Sequence, residues 1–259
     1  MSKIVNRRTF FRFGAGALGT LVASQSLAQA CGVDTGGQPL GPFFPRPGTP
    51  IDPIHEDPDT STPIYLANDN DLTFVRGRLG TALGQWVEVK GQVTDGDCKP
   101  VVGATIIIWQ ASASGRYNHK GDAANEDFEH PVTGDIVQRT HDKNFQYWGQ
   151  ATTNAQGEYV FKTIVPGFYP ADLSTAWYRP PHIHFLISAT GFPQLVTQMY
   201  FRGKDIANND FIQDLNGKDL ILQSEELTPL QRESLVVDFK TKSLLDKTLE
   251  GTFNIQIKK

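Results

Sequence analysis

Hydrophobic and polar positions alternate with the two-residue period of a strand over much of the chain. Trp86-Val87-Glu88-Val89-Lys90-Gly91-Gln92-Val93 alternates, Asp95-Gly96-Asp97 turns, and Val101 to Trp109 runs apolar through Ile106-Ile107-Ile108. A second pair follows: Gly149 to Thr153, a turn at Asn154-Ala155-Gln156-Gly157, then Tyr159 to Ile164. His182 to Ser188 and Leu195 to Phe201 predict two further strands. Thr252 to Lys258 predicts another, with Phe253, Ile255 and Ile257 on one face. Helical periodicity is scarce. Thr228-Pro229-Leu230-Gln231 has the form of a capped helix start, but Leu235-Val236-Val237, with its two β-branched valines, leaves that segment open between helix and strand. Many short strands punctuated by Gly, Pro and Asn predict an all-β fold, a β-sandwich with long loops.

The first 63 residues do not share this pattern. Arg7-Arg8-Thr9-Phe10-Phe11-Arg12, a short Gly/Ala/Leu stretch from Phe13 to Ala23 and Ala28-Gln29-Ala30 have the form of an export signal with an A-x-A cleavage site. The paired arginines and the weakly hydrophobic, Gly-rich stretch resemble a twin-arginine signal, which implies export after folding to the periplasm or beyond. An amphipathic first helix is the alternative, and no polar face recurs at helical spacing to support it. Cys31 follows the expected cut, but the leucine (Leu27) stands one position too far upstream for lipidation, so plain cleavage is the expectation. Eight of the 16 prolines lie between Cys31 and Pro63. Proline supplies no ladder donor, so residues 31–63 are expected to form an extended arm, with Gly41-Pro42-Phe43-Phe44-Pro45 its only apolar docking element. The expected division is a signal at 1–30, the arm at 31–63 and one β-sandwich domain at 64–259. Within the signal, Gly14-Ala15-Gly16-Ala17-Leu18-Gly19 matches G-x-G-x-x-G, but no strand precedes it and it is not a dinucleotide site.

Charge and composition narrow the function. The formal net charge of the 259 residues is −4, yet the first 30 hold Lys3, Arg7, Arg8 and Arg12 and no acid. The remainder is more acidic than the total suggests and repels phosphate backbones, so no nucleic-acid partner is expected. No uninterrupted apolar run reaches about 18 residues, so no transmembrane segment is expected. Two cysteines exclude a disulfide-dense scaffold and a cysteine-built zinc cluster. Cys31 and Cys98 either pair in an oxidising compartment or both stay free.

The candidate chemistry centres on Arg179-Pro180-Pro181-His182-Ile183-His184-Phe185. Side chains at i and i+2 leave the same face of a strand, so His182 and His184 point together and Ile183 turns into the other layer. Two imidazoles on one face suit a metal or, alternatively, a solvated strand face. No cysteine or H-E-x-x-H helix accompanies them, and His55, His119, His130 and His141 are far off in sequence. The nearby oxygen donors are Tyr117 and Tyr169, each in a Gly- or Pro-punctuated loop; packing at a sheet edge is the other role for each ring.

Several stretches then occur in a recognisable order. They are Ile108-Trp109-Gln110-Ala111 through Gly115-Arg116-Tyr117, Asn144-Phe145-Gln146, Gly157-Glu158-Tyr159 through Ile164, Pro166-Gly167-Phe168-Tyr169-Pro170 and Arg179 through Phe185. Across residues 40 to 205 the chain resembles the intradiol ring-cleavage dioxygenases, which include protocatechuate 3,4-, catechol 1,2- and hydroxyquinol 1,2-dioxygenases. The resemblance implies a β-sandwich holding non-haem Fe(III) by Tyr117, Tyr169, His182 and His184. It also implies a catecholic substrate and O2 as partners, and cleavage between the two hydroxyl-bearing carbons to a cis,cis-muconate-type diacid. Tyr169 would be the ligand displaced by substrate, Arg179 would stabilise negative charge on it, and Gln198 would orient a ligand or assist a later rearrangement. A homodimer is the family's usual state. Free tyrosine ionises near pH ~10, so only a strong cation makes it a ligand at neutral pH; two phenolates offset two charges of a ferric ion.

The chain departs from the family pattern in three places. Phe43 and Phe44 stand where relatives often carry a tyrosine, and Ala171 stands where protocatechuate enzymes commonly have tryptophan. Residues 118–148 are long and polar, a candidate lid or oligomer contact in which solvated loop histidines are expected and a second metal site at His130 and His141 is the alternative. A non-catalytic β-sandwich binding module that kept the fold is the competing function. A hydrolase is not supported, because no G-x-S-x-G is present.

Overall fold

In the computed structural model, residues 32–44, 69–122 and 127–259 are described, and they build two five-stranded sheets. The first centres on β1 (Trp86–Thr94). β6 (Glu158–Ile164) pairs antiparallel along one side of it. β13 (Leu249–Thr252) and β14 (Ile255–Gln256) pair parallel in succession along the other, and β12 (Lys240–Thr241) extends the edge beyond β13. The second sheet runs β11 (Val236–Asp238), β10 (Leu195–Arg202), β9 (His182–Ser188), β2 (Thr105–Trp109) and β5 (Trp148–Thr152). Two ribbons stand apart from the sheets: β3 (Phe128–Glu129) with β4 (Ile136–Val137), and β7 (Tyr169–Asp172) with β8 (Trp177–Arg179).

The all-β sandwich expected from the alternation is the fold observed. Val87, Val89 and Val93 of β1 and Tyr159 and Phe161 of β6 enter one apolar core with Ile106 and Ile108 of β2 and Ile183, Phe185 and Ile187 of β9. Strand β9 is buried along six of its seven residues, because the outer face of its sheet is covered as well. There Trp109, Ala111, Tyr117, Tyr169 and Leu186 form a second cluster, closed over by Leu40, Phe43 and Phe44 of the arm. Residues 32–44, the described part of the arm, are docked on the sandwich: the Thr35 N–H donates to the Gln256 carbonyl (3.2 Å) and the Gln38 N–H to that of Val196 (2.9 Å).

Several elements differ from the pattern reading. Val102 and Gly103 turn before Thr105, so β2 is shorter than the apolar run. The run from Thr252 to Lys258 is split, because the Asn254 Oδ1 accepts the Gln92 N–H (3.0 Å) in place of a ladder partner; Phe253, Ile255 and Ile257 still share the buried face. The ambiguous segment is a helix followed by a strand. Thr228 and Gln231 form a reciprocal capping box ahead of α2 (Pro229–Ser234), and β11 starts two residues after it ends. The preceding helix α1 (Asn209–Lys218) left little trace in the pattern, since among its ten residues only Ile212, Leu215 and Asn216 are buried.

The long segment 118–148 is mixed: most of residues 129–138 are exposed, but other parts are enclosed. His119, Asp122, Arg139 and Asp142 are buried, and the Arg139 Nη2 donates to both Asp122 oxygens at 3.0 Å with both side chains almost fully enclosed. The Asp122 and Arg139 charges oppose one another in this enclosure, and Asp122 also accepts the Tyr117 backbone N–H (2.6 Å) while Arg139 Nη2 donates to the Gly115 carbonyl (2.6 Å). His130 packs on Phe168 and Phe211, whereas His141 stacks on Tyr147, so they occupy separate surroundings. Cys98 is disulfide-bonded. Cys31, the only other cysteine in the sequence, lies outside the described residues, as do the signal and His55. Among the described residues no helix is long and apolar enough to cross a membrane.

Candidate metal centre

Cross-strand register assembles the site on the outer face of the second sheet. In β9, His182 and His184 face outward while Ile183 enters the core, as the i, i+2 rule requires. On β10, Tyr200 stands opposite His182 and Gln198 opposite His184. On the other side Trp109 of β2 pairs with His184, and its indole stacks on the imidazole at 4.7 Å with the planes 10° apart. The β7–β8 ribbon places Tyr169 directly opposite Arg179. Tyr117 arrives from the loop after β2. Gly115, with φ of +79°, permits the close approach of that loop to the Pro166–Tyr169 loop: a Cβ there would run into the Phe168 carbonyl.

The donor atoms converge. The Tyr117 hydroxyl lies 3.2 Å from His182 Nε2, which lies 3.2 Å from His184 Nε2. The Tyr169 ring is 5.6 Å from that of Tyr117 and 5.8 Å from that of His182, centroid to centroid. His182 Nδ1–H donates to the Pro180 carbonyl (2.7 Å), which fixes the tautomer and turns the Nε2 lone pair inward. His184 Nδ1 is buried without a hydrogen-bond partner among the described residues.

The electrostatics of the donors suits a cation. Burial holds both imidazoles well below their ordinary pKa, reinforced by the Arg179 charge. Burial also pushes the Tyr117 phenol well above its ordinary value, with the neighbouring Tyr169 adding to it, and raises Tyr169 against the opposing pull of Arg179. Without a metal the four donors are therefore neutral, and a cation is what would ionise the phenols. Donor separations near 3 Å are those of neighbouring ligands around one ion at bond lengths of about 2.1 Å, so the residues fit a metal. Among the described residues no three His, Cys, Asp or Glu side chains form such a group; the oxygen donors are phenols, which suits a hard, highly charged ion.

Around the donors the structure gathers Arg179 and Gln198. Burial alone would lower the guanidinium pKa, but the Asp219 carboxylate, 2.8 Å from Nε, opposes it and the group stays charged. The arm closes the site. Phe43 packs 4.7 Å from the Tyr117 ring and Phe44 lies edge-on to Trp109 at 4.7 Å. Gly41, at φ +76°, brings the backbone so close to His184 that a Cβ would sit 3.2 Å from its Cε1. A cavity of about 1020 Å³, lined by Asp69, Lys90, Gln150, Glu158 and Asn254 among others, lies elsewhere and contains none of the donors. Tyr117, Tyr169, His182, His184, Arg179 and Gln198, all named from the sequence, are brought together in the structure. Asp219, Asp122 and Arg139 carry no motif signal, since their significance rests on burial and on partners distant in sequence; only Asp122, five residues after Tyr117, stands near a named donor.

A family model described as Dioxygenase matches residues 60–258. The protocatechuate 3,4-dioxygenase beta chain of Burkholderia cepacia is 38% identical over 172 residues, 63% of this chain and 67% of that one. Catechol 1,2-dioxygenase 2 of Acinetobacter lwoffii is 30% identical over 58% of this chain and 52% of its own length, so this chain spans about half of that relative. Among solved structures, an intradiol ring-cleavage dioxygenase from Tetranychus urticae shares the fold with a TM-score of 0.54 at 23% identity, covering 87% of this chain and 95% of that one. The dioxygenase domain of a carbohydrate-binding fusion protein from Streptomyces sp. SirexAA-E does so with a TM-score of 0.52 at 24% identity, over 86% and 97%. With the sandwich, the match over residues 60–258 and the 38% identical relative, the chain belongs to the intradiol ring-cleavage dioxygenase family.

Proposed function

We propose that the protein is a non-haem Fe(III)-dependent intradiol dioxygenase, which uses O2 to open a catecholic ring between its hydroxyl-bearing carbons and releases a cis,cis-muconate-type diacid. The observation that carries this reading is the convergence of Tyr117, His182 and His184 at 3.2 Å spacings beside Tyr169. These four side chains would hold the iron. Bound there, a ferric ion would supply the positive charge that ionises phenols and a catechol at neutral pH and the electron demand that makes the ring reactive toward O2.

The protein's own groups account for the remaining tasks. Ionised by a bound cation, the Tyr169 phenolate oxygen would take up the proton that a catechol hydroxyl gives up, and its place opposite Arg179 keeps the exchange next to a fixed positive charge. Arg179 offers its guanidinium to negative charge developing on the substrate. Gln198 is set in one amide orientation, its oxygen toward Arg179 and its nitrogen toward the Pro39 carbonyl. Leu40, Phe43 and Phe44 exclude water from the donors.

Purified protein is expected to be red-brown from tyrosinate-to-iron charge transfer, to change colour with catechol, and to consume O2 with one or more of catechol, protocatechuate and hydroxyquinol. Colourless, iron-free protein with no O2 uptake would leave the non-catalytic module as the better reading. Tyr169→Phe should shift the colour and slow turnover in folded protein; an unchanged spectrum would remove Tyr169 from the ligand set. We also propose export, supported by the twin-arginine-like opening; changing Arg7 and Arg8 to lysine should retain the protein in the cytoplasmic fraction.

A further inference from the structure

We infer that Asp219 is a positioning residue for ring cleavage, acting through Arg179, and that it couples the segment after α1 to the candidate metal centre. The inference rests on the proposed ring-cleavage reading and extends it to a residue that is neither a metal donor nor a substrate contact. Asp219 is fully buried and immediately follows α1. Its Oδ1 accepts the Arg179 Nε–H (2.8 Å) and the Trp177 indole N–H (3.2 Å), and its Oδ2 accepts the Leu222 backbone N–H (3.1 Å). The carboxylate is thus locked before it reaches the arginine.

On the other side of the guanidinium, Nη2 donates to Gln198 Oε1 (2.6 Å) and to the Tyr200 hydroxyl (3.3 Å). Tyr200 in turn receives the Gln38 amide (3.3 Å), and Gln198 donates to the Pro39 carbonyl (3.2 Å). Two edges of one planar cation are therefore held, one by the segment after α1 and the other by β10 and the arm. Among the described residues Nη1 makes no hydrogen bond, which leaves it for a ligand. A long side chain loses rotamer freedom when tethered at both edges, and the charge-assisted bond to Asp219 selects one orientation. Burying an ion pair is weak as a device for stability alone. Its placement directly opposite Tyr169 is what gives it a role in the reaction.

The test is a double-mutant cycle in the iron-loaded full-length protein, with Asp219→Asn made alone and on top of Arg179→Met. In the native background kcat is expected to fall about 10- to 100-fold, with iron content and the charge-transfer band retained and KM changed much less. In the Arg179→Met background the same substitution should change kcat by less than about twofold. In metal-free protein the Arg179 Nε–H should exchange slowly with solvent by nitrogen-15 NMR, and that protection should vanish in Asp219→Asn. Equal losses in both backgrounds, loss of iron along with activity, or full kcat once the NMR protection is gone would each overturn the inference. If the asparagine variant does not accumulate folded, Asp219→Glu is read the same way, since it keeps the charge and displaces the carboxylate; full kcat there would overturn it. Parent protein that takes up no O2 would defeat the ring-cleavage reading itself, before any variant is compared.

Discussion

The two faces of strand β9 are built on opposite principles. Inward, Ile183, Phe185 and Ile187 meet rings and aliphatic chains of the other sheet, with Phe161 and Phe253 edge-on to Phe185 at 6.3 and 5.0 Å. Every atom there gains from leaving water. Outward, His182 and His184 are as deeply buried, yet they face two phenols and a guanidinium. Burial on that side costs stability unless a cation satisfies the donors. One strand thus carries both the device that holds the sandwich together and the group of side chains that only a ligand stabilises. The difference teaches that depth of burial does not identify a core; the chemistry of what is buried does.

That contrast can be broken from either side. His184→Ala should have the largest effect on function: iron content and O2 uptake fall to background, while urea unfolding shows the metal-free fold losing less than it does to Phe185→Ala. Phe185→Ala should cost about 3–5 kcal/mol by the same measurement; a loss under 1 kcal/mol would mean the inner face is not the core. Asp122→Asn leaves the enclosed Arg139 without its partner and should cost a similar ~3–5 kcal/mol, with the charge-transfer band altered because Tyr117's backbone N–H loses its carboxylate acceptor.

Acid should separate the faces further. Both histidines titrate well below 6.5 in the folded, metal-free chain, because burial and then Arg179 oppose their charging. Unfolded, they take up protons near 6.5, so the stability present above that pH is lost as pH falls toward the folded values. The folding equilibrium should weaken by up to about tenfold per pH unit for each histidine. Midpoints that stay level from pH 7.5 to 5 would contradict this. Smallest of all, Ile187→Val should cost about 0.5–1.5 kcal/mol and leave the iron spectrum unchanged.

Much of this was legible along the chain. The alternation in β1, β6, β9 and β10 showed the sandwich, because a face that must be buried writes itself into every second residue. His182 and His184 were visible as a same-face pair for the same local reason. Thr228 marks a capped helix start, although Val236-Val237 leaves helix or strand open until the fold shows both in succession. By contrast α1 leaves little periodic signal, since its buried face is only three residues wide, and the enclosed Arg139–Asp122 pair within 118–148 leaves none, since it joins residues 17 apart in a loop without periodicity.

Alone, then, the sequence determined the layers, the outward pair of imidazoles and, through motif order, the phenols that join them, because strand periodicity and short motifs are local properties of the backbone. Only the tertiary structure decided that Tyr169 stands opposite Arg179, that Asp219 and Gln198 hold that arginine from two sides, and that Phe43 and Phe44 close the site. Those facts depend on register between strands and on residues 19 to more than 100 positions apart, and the energy of a buried charge is set by whichever partners the fold brings within a few ångströms of it.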